Sequence, residues 1–427
     1  MLSPMRGSIL PCEAQLENPD MKRSRSIATP AITRWSHRVP KALVVLLVGT
    51  CASASGAAGE PSAPLDSLPG WIRPLSLQGT LEGEFHWTKN SGPRLTSVSR
   101  SSLYLRRVEL AASGKVGTWV DVLLVANSEY IGDLANPGDK RLAVDEGHLD
   151  LQRDGFPFYL VLGKRTQPFG AFENHMITDP MTQDGYEVNR VGATLGASGP
   201  LGADVSATGI TGAEQIDHLF GSALFDTSGI HRGATDSVNV QSLIVTGHIS
   251  PVSDFVTVFG SYLNEPGVHR RNSTVDLGLT FASRANRAFL DLEYVKALHR
   301  EAYPGAPRAY KDGAFSASAG YATILSRPGV LRGRTFRGRR SRTHDYPFVV
   351  AVRYEHFDDD GLAADRSSWS SRDRVSFGGT YTFAHDSASS MYGMVELRRS
   401  TFRIPGSPAA GFAPSNHEIL CKLGIVF

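Results

Sequence analysis

From Leu75 to Trp87 the chain alternates without a break. Leu75, Leu77, Gly79, Leu81, Gly83, Phe85 and Trp87 hold one parity, and Ser76, Gln78, Thr80, Glu82, Glu84 and His86 hold the other. A period of two marks a strand with one apolar and one polar face. The pattern recurs and predicts sixteen strands, near 75–87, 101–113, 116–129, 142–152, 156–165, 189–198, 201–210, 237–249, 254–264, 273–283, 287–299, 313–325, 346–357, 373–384, 389–400 and 416–427. "RVSFGGTYTF" is a clear case. The segment 101–113 is poorly patterned, because Arg106 and Arg107 are adjacent.

The connections alternate in length. "SGKVG", "DGFP", "SGPLG", "SPVSD", "SRANR" and "AHDSAS" are short. The intervening ones are long: "TKNSGPRLTSVSR", "IGDLANPGDKR", residues 166–188 and 211–236, "EPGVHRRNS", "REAYPGAPRAYKD", "DDDGLAADRSSWSSRD" and "RIPGSPAAGFAPSN". Short turns at one end and long loops at the other are the mark of a membrane β-barrel. One connection breaks the rhythm: "SRPGVLRGRTFRGRRSRTHDY" is long on the turn side. Its Arg327, Arg332, Arg334, Arg337, Arg339, Arg340 and Arg342 read as a solvated, mutually repelling insertion, with an anion or headgroup patch as the alternative.

The chain ends on "SNHEILCKLGIVF", where Ile419, Cys421, Leu423, Ile425 and Phe427 share one parity. A sheet in lipid must close and leave no edge, so this strand is expected to pair with the first. Phe427 then belongs to the lower aromatic girdle and resembles the assembly signal of outer-membrane proteins. A secreted soluble sandwich or propeller would require neither a terminal aromatic nor loops sorted by length.

Composition agrees. With 43 Gly and 24 Pro in 427 residues, and no segment of sustained helical periodicity, a soluble α/β protein is disfavoured. The longest apolar run, "ALVVLLVG" (Ala42 to Gly49), is too short to span a bilayer as a helix. It follows Arg34, Arg38 and Lys41 and precedes small residues with cleavage points at 52–54 and 55–57, the layout of a secretory signal peptide. "MKRSRS" from Met21 suits the start of such a signal better than the acidic first twenty residues. The expected organisation is an N-terminal extension and signal peptide over 1–58, a linker over 59–74 and an outer-membrane β-barrel over 75–427. Cys12 and Cys51 precede the barrel, which leaves Cys421 alone, so neither a disulfide framework nor a metal site is expected. A net charge of +2 gives no reason to expect nucleic acid. Sixteen strands imply a water-filled channel.

The stretch "LGKRTQPFGAFENHMITDPMTQDGYEVNRVGATLG" carries a resemblance. "PFG-x-F" (Pro168, Phe169, Gly170, Phe172), "MITDPMT" (Met176 to Thr182) and Glu187, with "LYLRRVEL", "WVDVLLV" and "VDEGHLDL…LVLGKR" upstream, are similar to LbtU-type siderophore porins, relatives of the phosphate-selective porins O and P. The resemblance covers roughly residues 100–215. It implies a plug-free channel for a ferric siderophore or another small anionic solute, with a homotrimer as its assembly. "QDGYEVN" departs from the more acidic run expected there, and no N-terminal coiled-coil segment precedes the barrel.

The residues themselves suggest a constriction. A long loop after the fifth strand can fold into the barrel, presenting Asn174, His175, Thr178, Asp179, Asp184, Tyr186 and Glu187 to a solute, opposite wall residues Arg165 and Arg190. The blander reading is that these side chains hold the loop to the wall. Parity assigns Glu82, Glu84, His86, Asp291, Glu293, Arg353, Glu355, Arg374, Glu396 and Arg398 to the lumen. No G-x-S-x-G, H-E-x-x-H or Walker pattern occurs, so an enzymatic barrel is not expected, nor a cofactor. A general or phosphate-preferring anion porin is the alternative, and an adhesive surface barrel the rival from another class. The expected surroundings are the lipid bilayer and lipopolysaccharide of a Gram-negative outer membrane, and its assembly machinery.

Overall fold

Every strand pairs antiparallel with its sequence neighbours, and the last with the first, which closes a sixteen-stranded barrel. The computed structural model describes residues 72–92, 95–133, 141–228, 230, 239–252, 255–283, 288–323, 348–385, 389–403 and 415–427. The N-terminal extension, the signal peptide and the Arg-rich connection lie outside the described residues. The strands are β1 (Ile72–Gly92), β2 (Leu95–Val116), β3 (Val120–Ile131), β4 (Ala143–Gln152), β5 (Phe158–Thr166), β6 (Asn189–Ser198), β7 (Asp204–Thr211) and β8 (Val240–Val252) in the first half. The second half holds β9 (Val256–Pro266), β10 (Arg271–Ala282), β11 (Ala288–His299), β12 (Gly313–Thr323), β13 (Phe348–Asp358), β14 (Ser370–His385), β15 (Ser390–Arg403) and β16 (Ser415–Val426). Each predicted strand has its counterpart.

Alternation decides which face is which. On β1 and β16, Leu77, Leu81, Phe85, Ile419 and Leu423 are exposed outward. Between them, Glu82 and Glu84 are buried inward, at 6 % and 3 % exposure. An apolar exterior around a polar interior suits a barrel solvated by lipid. No described helix is long and apolar enough to cross a membrane; the strands do the crossing.

The seam runs from Thr80↔Val426 to Ser91↔Ser415. Below it, Gly79 N donates to Phe427 O at 2.7 Å and Phe427 N donates back to Gly79 O at 3.0 Å. The Phe427 ring lies where a side chain at position 79 would stand: a Cβ there would come within 2.5 Å of it. The terminal aromatic therefore seals the barrel.

Two outer connections expected to be long are short. β1 and β2 continue upward to the pair Gly92↔Leu95, since β1 must extend to match the top of β16. β9 and β10 likewise run on to Pro266↔Arg271. The poor pattern of the second strand also has a cause. Glu82 pairs with Arg107 but Gly83 with Leu105, so Arg106 is an extra residue, a β-bulge. A bulge switches parity, so that Tyr104 and Arg106 face the lumen on its N-terminal side, and Arg107 and Glu109 on its C-terminal side.

Candidate functional site: the internal loop and the wall it faces

The loop between β5 and β6, residues 167–188 (L3), folds into the barrel. Its entry is set by Gly170, whose φ of +77° places it in the left-handed region. A Cβ there would also strike the Phe172 ring at 2.3 Å. After Pro180 comes one short helix, α1 (Met181–Tyr186), most of which is buried.

L3 runs along the wall from β9 to β16 and turns back towards β11. Gly170 N donates to Ser261 Oγ on β9 at 3.1 Å. The N–H groups of Ala171 and Phe172 share Glu293 Oε1 on β11, at 2.8 and 3.0 Å, and Thr182 donates to its other oxygen at 2.7 Å. His175 Nε2 meets Asp291 at 2.8 Å, and Ile177 packs with Tyr392, Met394 and Leu420 of β15 and β16. Thr178 donates its N–H and its hydroxyl to Glu396 at 2.9 and 2.7 Å. Met181 N donates to Glu355 of β13, and Arg374 of β14 pairs with Asp184 at 3.1 Å. Arg353, fully buried, donates to Asn174 and Thr178 and pairs with Glu355 at 3.0 Å. Carboxylates receiving backbone N–H groups are strong, charge-assisted anchors.

The loop between β7 and β8 reinforces this half. Its helix α2 (Glu214–Gly221) packs on α1, and Gln215 donates to Tyr186 O and Glu265 accepts from Gln215 N. Leu219, Leu224, Phe225 and Ile230 join Tyr310, Phe357 and Leu362 in an apolar cluster, with Phe225 stacked on Phe357. Tyr186 donates to Asp312, which Arg300 grips at 3.0 and 3.1 Å. Burial and the Asp312 charge push the Tyr186 hydroxyl well above the usual tyrosine range.

The structure therefore separates the expected constriction residues. Asn174, Thr178, Asp179 and Asp184 remain partly exposed. His175, Tyr186 and Glu187 are turned to the wall: their exposures are 6 %, 0 % and 7 %, and each is tied down, Glu187 by Thr166 at 2.9 Å. Asp291, Glu293, Arg353, Glu355 and Glu396 lie beneath L3, and Arg374 at its edge. Arg165 and Arg190 are not opposite the loop but side by side on β5 and β6 at its stem. Arg165 donates to Thr194, and Arg190 is held by Glu214 and Asp217 of α2, at 2.5 and 3.6 Å.

L3 makes its wall contacts from β8 to β16, and β1 to β5 line the rest of the lumen. There Arg106 and Arg107 both reach Glu129, at 3.4 and 3.2 Å, and Arg106 lies 4.1 Å over the Tyr130 ring. Arg107 also pairs with Glu109, Arg106 with Glu84, Lys422 with Glu82, and Arg398 and His86 with Glu418. On β4 a second bulge, between Val144 and Glu146, adds Asp145 to Glu146, His148 and Asp150 along the same wall. Sequence reasoning placed Glu82, Glu84, His86 and Arg398 in the lumen but missed Arg106, Arg107, Asp145 and Glu146, because adjacent like residues break the alternation it relies on. The adjacency itself was the available signal. Among the described residues no group of three or more His, Cys, Asp or Glu could hold a metal ion.

No protein-family model and no curated protein matches the sequence. Solved structures do match in fold. The outer membrane channel DcaP of Acinetobacter baumannii is similar at a TM-score of 0.51 and 11 % identity, over 82 % of this chain and 96 % of that one. OmpF of Salmonella typhi, in complex with daunomycin, is similar at a TM-score of 0.54 and 11 % identity, over 83 % and 97 % of the two chains. The chain shares the overall fold of these two proteins.

Proposed function

We propose that the protein is a porin in the outer membrane of a Gram-negative bacterium, giving small polar solutes passive, plug-free passage. The observation that carries this reading is L3 bound along one half of a closed barrel, with a charged wall on the other half. Asp179 is within electrostatic reach of Arg106 and Arg107, and Asp184 of Arg398, an arrangement that sets up a transverse field for a dipolar solute. The half-buried inward carboxylates Glu109, Glu129, Asp145, Glu146, Asp150, Glu173, Asp179 and Asp184 outnumber Arg106, Arg107, Arg165, Arg190, Arg398 and Lys422. That excess supports a preference for cationic and zwitterionic solutes over anions. No group in this arrangement is set up as a nucleophile beside a base, so the reading is a channel and not an enzyme.

The second reading is a channel for a ferric siderophore. It rests on the motifs that resemble siderophore porins, which fall on L3 itself. Swelling of vesicles containing the refolded barrel distinguishes the two. Faster entry of amino acids and small amines than of equally sized anions supports the first reading. Faster entry of a ferric chelate than of its metal-free form supports the second.

A further inference from the structure

The outer rim of the lipid face carries a row of basic side chains. Lys89 of β1 pairs with His417 of β16, which pairs with Arg399 of β15, so the three stand side by side across adjacent strands. All three are exposed. Their parity is that of Phe85 and Trp87 on β1, Ile419 and Leu423 on β16, and Val395 and Leu397 on β15, so they point out of the barrel. Among the described residues Lys89 and Arg399 have no ion pair or hydrogen-bond partner, and His417 meets only Ser415, at 3.5 Å.

Depth explains why cations are tolerated there. From Phe427 to His417 is ten residues, about 33 Å along the strand and about 25 Å along the membrane normal at a tilt of roughly 40°. The apolar band of such barrels is about 25 Å tall. Trp87, Ile419, Leu397 and Phe377 form the row immediately below, so the cations begin where hydrocarbon ends. Lys89 and Arg399, about 10 Å apart on either side of His417, are two positive charges without a protein counter-ion among the described residues, and an anion seated between them would offset both.

The geometry points to a binding site for the phosphorylated headgroup of an outer-leaflet lipid on Lys89, His417 and Arg399. The row spans roughly 10 Å across three strands, room for one or two phosphate groups. The apolar row beneath receives the acyl chains of the same molecule, which a free phosphate ion could not use. This assignment rests on the reading of the barrel as an outer-membrane protein, with the long-loop end outward.

The test is a titration of the folded full chain in neutral detergent with bis-phosphorylated lipid A, read by native mass spectrometry. The wild type is expected to bind it about ten times more tightly than lipid A stripped of both phosphates, and K89Q/R399Q to lose that difference. Equal binding of the two lipids, or an undiminished difference in the double variant, overturns the site. Displacement of the lipid by millimolar inorganic phosphate would assign the row to the free anion and also overturn it. Conductance of the same samples separates failure of this site from failure of the porin reading, since neither side chain faces the lumen.

Discussion

Thr178 and Glu396 are joined twice, the threonine N–H at 2.9 Å from one carboxylate oxygen and its hydroxyl at 2.7 Å from the other. Glu396 is fully buried beneath L3, and Thr178 lies on the loop above it. Hydrogen bonds to charged groups contribute about 1.5–3 kcal/mol each, so this pair fixes the tip of the loop. Glu396→Ala should free the tip while Glu355 still balances Arg353. Single-channel recordings are expected to show larger and noisier openings than wild type, with the barrel still folded. Unchanged openings would mean that L3 does not set the aperture.

The β2 bulge turns two consecutive arginines inward, and Arg107 is the more exposed of them. Removing its charge leaves Glu109 and Glu129 without that counter-ion. Arg107→Ala should raise the cation-to-anion permeability ratio by roughly a factor of two, and Glu129→Gln should lower it by a similar factor. Reversal potentials in a tenfold salt gradient measure both shifts, which must have opposite signs.

Asp184 supplies a pH dependence. Burial pushes its carboxyl up to about 6, against the pull of Arg374 and with help from Asp179. Its side chain is still 32 % exposed, so it titrates with the lumen. Below about pH 6 it is neutral, the constriction loses one negative charge, and cation preference should fall. The stability sign follows from the raised value. The neutral form is favoured in the folded barrel, so its contribution is complete at acid pH and lost as pH rises through about 6. Selectivity measured from pH 4.5 to 7.5 should show this step in wild type and not in Asp184→Asn.

At the seam, Gly79→Val places branched carbons where the Phe427 ring now lies, within 2.5 Å of the Cβ position. Overpacking of this kind costs about 1–3 kcal/mol. The variant should convert from the folded to the unfolded gel band at a lower temperature than wild type. Gly79→Val with Phe427→Ala should recover part of the loss, because the clash is then removed.

Much of this fold was legible in the sequence, because one face of each strand meets lipid and the other water, and alternation follows directly. The limits were local. Arg106 and Arg107 looked like a flaw in the second strand because a bulge reverses parity, and only pairing with Glu82 and Gly83 reveals it. The tops of β1 and β2, rich in serine and threonine, read as a loop until β16 is seen to extend alongside them. His175, Tyr186 and Glu187 were placed on the right loop, but a loop sequence does not say which side chains turn to the wall. Asp312 and Asp291, which hold two of them, are over a hundred positions away. The helix α2 that pins Arg190 carries too few turns for a periodic signal.

The account stands most directly on whether the barrel is an open channel. Planar-bilayer recording of the refolded protein, shown folded by its heat-modifiable migration, should give stepwise openings with a reversal potential of the sign expected for cation preference. Absence of steps from well-folded protein would contradict the channel, and a firmly anion-selective reversal potential would contradict the role given to the lumen carboxylates.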